Sequence, residues 1–177
     1  IFKEGSNQSV FTGNRNTINH RISDWVMNGT TGYKPGVISL SGVGFGLDFN
    51  DKTQDKTETE WLPGGCILHQ SQNLITKDYF PFSGKAYSED LMHSILLREN
   101  GVKLYVCNNA IAYIETIPYP HSFLELYRQY QASKFVINLQ KKGFFRVHLL
   151  YFLRLIKTIL RVIHNGALGF VKFKKIK

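Results

Sequence analysis

Beyond Glu125 this chain has no carboxylate side chain. Residues 132–177 carry 11 Lys and Arg, whereas residues 1–131 carry 11 basic and 13 acidic side chains and are close to neutral. The net charge of +9 therefore belongs to the C-terminal segment, and a one-sided excess of this kind points to a polyanionic surface as partner. Cysteine is scarce as well. Cys66 and Cys107 are too few for a disulfide scaffold, and neither sits in a CxxC pair or in a Cys/His cluster with zinc spacing. A reducing, cytoplasmic setting is the default for such a chain. No run of about 18 uncharged apolar residues is present, which argues against a transmembrane span, and no signal peptide opens the chain. The first residue is Ile1 rather than Met, so the N-terminal part of a longer protein is expected to be absent. What remains is ordinary for a folded domain: 177 residues, 43% hydrophobic and 20% charged, enough for one core and too apolar for wholesale disorder.

Residues 1–36 are rich in Asn, Gly, Thr and Ser and read as loops with a short helix near Ile22–Met27. Residues 37–47 alternate apolar with small or polar residues, the pattern of a strand with glycine kinks. The acidic stretch 48–60 reads as a solvated connection. Trp61-Leu62-Pro63-Gly64-Gly65 then sets a Pro-Gly-Gly turn between a large aromatic and a short apolar run. Its plain reading is a tight turn, and its sharper one is a backbone that a ligand can approach closely.

Residues 88–98 predict a helix, with Ser88 as N-cap and Leu91, Met92, Ile95 and Leu96 on one face. Gly101 is its stop signal. Glu89 and Asp90 fall in the first turn, where the helix dipole favours anions. They either complement that dipole or direct a carboxylate into a cleft as a general base. Residues 102–106 and 110–114 predict short strands, expected to share one sheet with 37–47. Ser122 and Glu125 form a capping box for a helix over 123–138, with Phe123, Leu126, Tyr127 and Tyr130 as its core-facing stripe.

The last segment, 144–163, is apolar and aromatic but interrupted. At 100° per residue Arg146, Arg154, Lys157, Arg161 and His164 fall within about 80° of one another. Such a basic amphipathic helix either lies in a membrane interface or packs on its own domain with a solvated basic stripe. Its aromatics are interleaved with Leu and Ile rather than set out for base stacking, so nucleic acid is not the expected polyanion.

Taken together, WLPGGCIL at 61–68, YFPFSGKAY at 79–87 and SEDLMHSILLRENG at 88–101 resemble the acceptor-side half of a family 2 inverting glycosyltransferase. The resemblance spans roughly residues 35–135. It implies an α/β fold, the C-terminal portion of a Rossmann-like GT-A sandwich followed by amphipathic helices. Residues 1–120 would form the second half of the transferase domain, 121–143 a helix packed on it, and 144–177 a basic membrane-surface segment. The implied reaction moves a sugar from a nucleotide diphosphate donor to a glycan or lipid-linked acceptor, probable work of polysaccharide assembly on the inner face of the plasma membrane. In the resemblance Asp90 is the catalytic base with Glu89 beside it. Trp61, Pro63, Gly64 and Gly65 shape the substrate cleft, and Arg128 lies near the donor diphosphate. A divalent cation, Mg or Mn, is also implied, although no Asp-x-Asp occurs anywhere in the chain.

The chemistry is consistent with these residue types. An inverting transfer needs one carboxylate to take the acceptor's proton as its oxygen attacks the anomeric carbon. It also needs positive charge for the departing diphosphate. Two adjacent carboxylates are not a glycosidase pair, which must face each other across the scissile bond. The alternative is a membrane-associated module of the same ancestry that has lost the chemistry.

Overall fold

The computed structural model describes residues 18–32, 34–46, 55–64, 67–107 and 122–174, with side chains at 18–20 and 165–174 outside the description. Within these residues the chain is mixed α/β. Helix α1 spans Ile18–Asn28, strand β1 Lys56–Thr59, helix α2 Glu89–Glu99, strand β2 Leu104–Cys107, helix α3 Phe123–Gln140 and helix α4 Phe144–Lys174. The two strands pair antiparallel, with Lys56 opposite Cys107 and Thr59 opposite Leu104.

Helix α3 is the central post, and its sequence explains why. Ala132 and Val136, one turn apart, pack with Ile38 and with Leu91, Met92 and Ile95 of α2. Ile137 faces the other way, into Val26 of α1 and Val147, Leu150 and Tyr151 of α4. Residues four apart share a face, so neighbouring i, i+4 rows let one helix serve two cores. Helix α2 does the same. Its Leu97 leaves the α3 side and joins Leu62, Leu104 and Val106 against the strands. The expected single face is therefore two faces, and Leu96 is only half-buried while Leu97 is buried.

Several expectations change. Residues 37–46 do not join the sheet. They fold back on themselves through an isolated bridge between Ile38 and Gly44, with Phe45 N–H donating to Val37 O at 2.9 Å and Ser39 N–H to Val43 O at 2.9 Å. Gly42, at φ +74°, makes the reversal, and a Cβ there would lie 2.4 Å from Ser133 O. With its polar backbone spent internally, the segment has little left for β2. The partner of β2 comes instead from the stretch read as a solvated connection: Lys56-Thr57-Glu58-Thr59 is an edge strand whose Thr59 alone is buried. The segment 110–114 lies outside the described residues.

The loop and the strand are tied together. Thr59 Oγ1 donates to Gly36 O at 2.8 Å, Glu60 N–H donates to the same oxygen at 2.7 Å, and Glu60 Oε2 accepts from Ile38 N–H at 2.8 Å. The Ser122 hydroxyl caps α3 by accepting from Glu125 N–H at 3.1 Å, as the sequence predicts. The proposed core stripe of α3 holds in half: Leu126 and Tyr130 pack, partly buried, on the cluster around Ile137, Phe123 and Tyr127 are exposed, and the buried residues are Ala132, Ser133, Val136 and Ile137.

Met92 has no exposed surface. Met92→Ala is expected to cost about 2–5 kcal/mol, the range for truncating a fully buried long side chain. Gly42→Ala is expected to destabilise through its positive φ and the clash with Ser133 O. Urea unfolding of both variants checks this; unchanged midpoints would show that α2 and the reversal do not carry the core.

Candidate active site

The turn at 61–64 is fastened at three points. Trp61 Nε1–H donates to Phe45 O at 2.9 Å, and its ring covers Gly44, where a Cβ would lie 2.6 Å from the indole. The buried amide of Leu62 donates to Ser94 Oγ on α2 at 3.0 Å, and the Leu62 side chain is buried beside Leu97. Pro63 is half-buried and Gly64 exposed. The outcome is contact between two motifs distant in the chain. A Cβ on Gly64 would stand 3.5 Å from Glu89 Oε2 and 3.6 Å from Asp90 Cβ.

Helix α2 begins differently from the expectation. Ser88 is left-handed, at φ 56°, and its hydroxyl makes no cap. Asp90 Oδ1 instead accepts from Leu91 N–H at 2.9 Å, taking a first-turn amide that the helix itself cannot use. Both carboxylates sit at the positive end of the helix dipole.

Glu89 is held from the side. Tyr79 O–H donates to Glu89 Oε1 at 2.5 Å. Burial, then the bond to Glu89 and the charges of Asp90 and Asp78, push the Tyr79 phenol far above its usual range, so it remains a donor. Next to it is His93, one turn after Glu89. Its ring lies 5.4 Å from that of Tyr79, and its Nε2 is 3.4 Å from Nε2 of His69. Burial and the neighbouring His69 lower the His93 pKa against the opposing pull of Glu89. Sequence reading missed Tyr79, His69 and His93. The i, i+4 spacing of Glu89 and His93 was a usable signal; the other two arrive by tertiary folding alone.

Arg128 is elsewhere. It lines a recess with Lys85 and Tyr87, whose lining includes neither Gly64 nor the carboxylates. The structure thus brings Gly64 against Glu89 and Asp90, while Trp61 packs on Gly44 and the core, Arg128 stands apart and Gly65 lies outside the described residues. Among the described residues no three His, Cys, Asp or Glu converge as metal ligands.

Comparison with known protein families, with characterised proteins and with solved structures finds no match to this chain.

The lowered His93 pKa has a definite sign. The unfolded chain takes up this proton near the ordinary value of 6.5 while the folded one resists it. Protons therefore favour unfolding, and stability falls as pH drops through about 6.5. His93→Gln is expected to flatten that fall, read as the urea midpoint between pH 7.5 and 5; an identical slope in the variant would remove His93 as its source.

Proposed function

We propose that this chain carries the base-bearing, acceptor-side part of an inverting sugar transferase of the family 2 type, with a GT-A sandwich as its wider frame. One observation carries the reading: Gly64 lies in contact range of Glu89 and Asp90. The glycine turn and the acidic pair are the motifs on which the resemblance rests, and a cleft chemistry needs them adjacent. In the proposed reaction Asp90 accepts the proton of the attacking acceptor hydroxyl. The new glycosidic bond forms as the bond to the nucleotide diphosphate breaks, and the diphosphate leaves with the electron pair. Glu89, oriented by Tyr79, completes the acidic wall. No step above depends on the cation that the resemblance implies.

In full-length protein, Asp90→Asn is expected to lower transfer from nucleotide sugar by at least about 10²-fold, the usual scale for losing a general base, while donor binding is retained. Activity kept in Asp90→Asn but lost in Glu89→Gln would exchange the two roles. Activity kept in both would defeat the motif assignment; no transfer in the unaltered protein would leave the non-catalytic alternative.

The same reading takes α4 as a membrane-surface helix at the cytoplasmic face, where nucleotide sugars would be the donors and a glycan or lipid-linked molecule the acceptor. Its packing on the body ends at Tyr151. Beyond that, Phe152, Leu153, Ile156, Leu160 and Ile163 are exposed, as are Lys157 and Arg161. Among the described residues no helix is long and apolar enough to cross a membrane. The basic stripe is shorter than the sequence suggests. Arg146 turns inward, bonded to the carbonyls of Trp25 and Val26 at the end of α1.

Binding to anionic vesicles is expected, weakening with salt and with Arg154→Glu, Lys157→Glu and Arg161→Glu by about 1 kcal/mol per basic residue lost, whereas Arg146→Glu should act chiefly on stability. Equal affinity for neutral and anionic vesicles would remove the electrostatic part.

A further inference from the structure

Two recesses meet at Tyr127, and they are chemically opposite. The first is a groove of about 280 Å³ between α3 and α4, walled by Phe123, Leu126, Phe152 and Leu155. Two of its polar groups are paired with each other, the Tyr130 hydroxyl and His148 Nδ1 sharing a hydrogen bond of 2.7 Å, and the Tyr151 hydroxyl is paired with Ser133 Oγ. The groove therefore offers a ligand a mainly apolar surface. The second, of about 210 Å³, contains Lys85, Arg128, Ser83 and Gln131 around Tyr87. Lys85 Nζ lies 5.4 Å from the centre of the Tyr87 ring. The nearby carboxylate, Glu125, accepts the Tyr87 hydroxyl at 3.0 Å. Tyr127 lines both recesses and is itself exposed.

We infer that these recesses together bind one single-chain lipid phosphate, its hydrocarbon in the α3–α4 groove and its phosphate on Lys85 and Arg128. Hydrocarbon needs a dry apolar trough and a phosphate needs cationic forks with neutral donors beside them; here one side chain separates the two. The groove also runs into the exposed apolar part of α4, so a chain leaving a bilayer has continuous apolar surface to follow. The binding stands on this geometry alone. That a lipid-linked acceptor anchors itself here by its chain and phosphate, with a sugar hydroxyl beyond them offered to Asp90, rests on the function proposed above. The recess adjoins the segment 79–87, which leads directly into Glu89 and Asp90. Arg128 is thereby reassigned from the donor diphosphate to the lipid phosphate.

Calorimetric titration of the full chain with decyl phosphate below its micelle concentration, with decanol and with inorganic phosphate tests the site. Decyl phosphate is expected to saturate one site at least about tenfold more tightly than either fragment-like ligand. Lys85→Ala with Arg128→Ala should reduce it to the decanol level. Phe123→Gln with Phe152→Gln, both at exposed positions that do not endanger folding, should weaken decyl phosphate and decanol about tenfold and leave inorganic phosphate unchanged. Equal affinity for decanol and decyl phosphate would overturn the cationic end, and insensitivity to the Phe pair would overturn the groove. If decyl phosphate binds as described while the unaltered full-length protein transfers no sugar from nucleotide sugars, the transferase reading falls and the site stands. If Asp90→Asn abolishes transfer while decyl phosphate fails to bind, the site alone falls.

Discussion

The buried amide of Leu62 donates to the hydroxyl of Ser94, and the candidate site depends on that bond. An unsatisfied buried amide costs about 1–3 kcal/mol, so the turn is held to α2 at a fixed height above its first residues. Trp61 adds the second coordinate by reaching Phe45 O. With those two fastenings made, Gly64 can only lie where it does, over Glu89 and Asp90. A side chain larger than a methyl there would enter the space of the two carboxylates, because even a Cβ is already in van der Waals range. A methyl there would make ordinary van der Waals contact with the two acids, so the glycine keeps this approach open to larger groups rather than meeting a backbone need.

The same economy recurs in the core. Helix α3 offers Ala132 and Val136 to one cluster and Ile137 to another. Its small residues let other chain segments come close: the reversal at Gly42 rests on the Ser133 backbone, and Ser133 Oγ pairs with Tyr151 OH at 2.9 Å within the core. At the α3–α4 junction Lys141 is left-handed and Gly143 has φ +63°, with the carbonyl of Leu40 directly beneath Gly143. The loop 36–46 is therefore clamped between the end of β1 and the middle of the helical pair. That explains how a segment with so little regular structure carries the fully buried Ser39 and Ser41.

Helices α2 and α3 were legible because local signals agreed: acids in a first turn, apolar residues at helical spacing, Gly101 as a stop, and a real cap at Ser122. Where local signals were silent or divided, tertiary contacts decided. An alternating stretch such as 37–46 fits a strand, but nothing in its pattern says whether its partner is a distant strand or its own other half. The polar Lys56–Thr59 reads as loop because an edge strand with one buried residue has almost no hydrophobic signature. Ser88 has the right identity for a cap and the wrong backbone, since a left-handed residue turns its hydroxyl away from the amides it would serve. Glu89, Asp90 and Gly64 were named from the chain alone. Tyr79 was beyond reach because its partner lies across a loop whose path no periodicity encodes.

The distribution of charge completes the argument about α4. Glu125, the last carboxylate of the sequence, is occupied by the Tyr87 hydroxyl. The cations that follow have no acid within their own segment to neutralise them. Arg146 is absorbed by the carbonyls at the end of α1, where a helix C-terminus carries partial negative charge. Arg154 lies over the ring of the buried Tyr151 at 5.0 Å. From there outward the helix presents apolar side chains and cations together, with nothing in the described body to receive either. A surface that is anionic outside and hydrocarbon within satisfies both at once, whereas a folded partner would need a matching acidic rim around an apolar groove. The helix thus changes its surroundings along its own length, from protein core to the exterior, and Tyr151 marks the point of change.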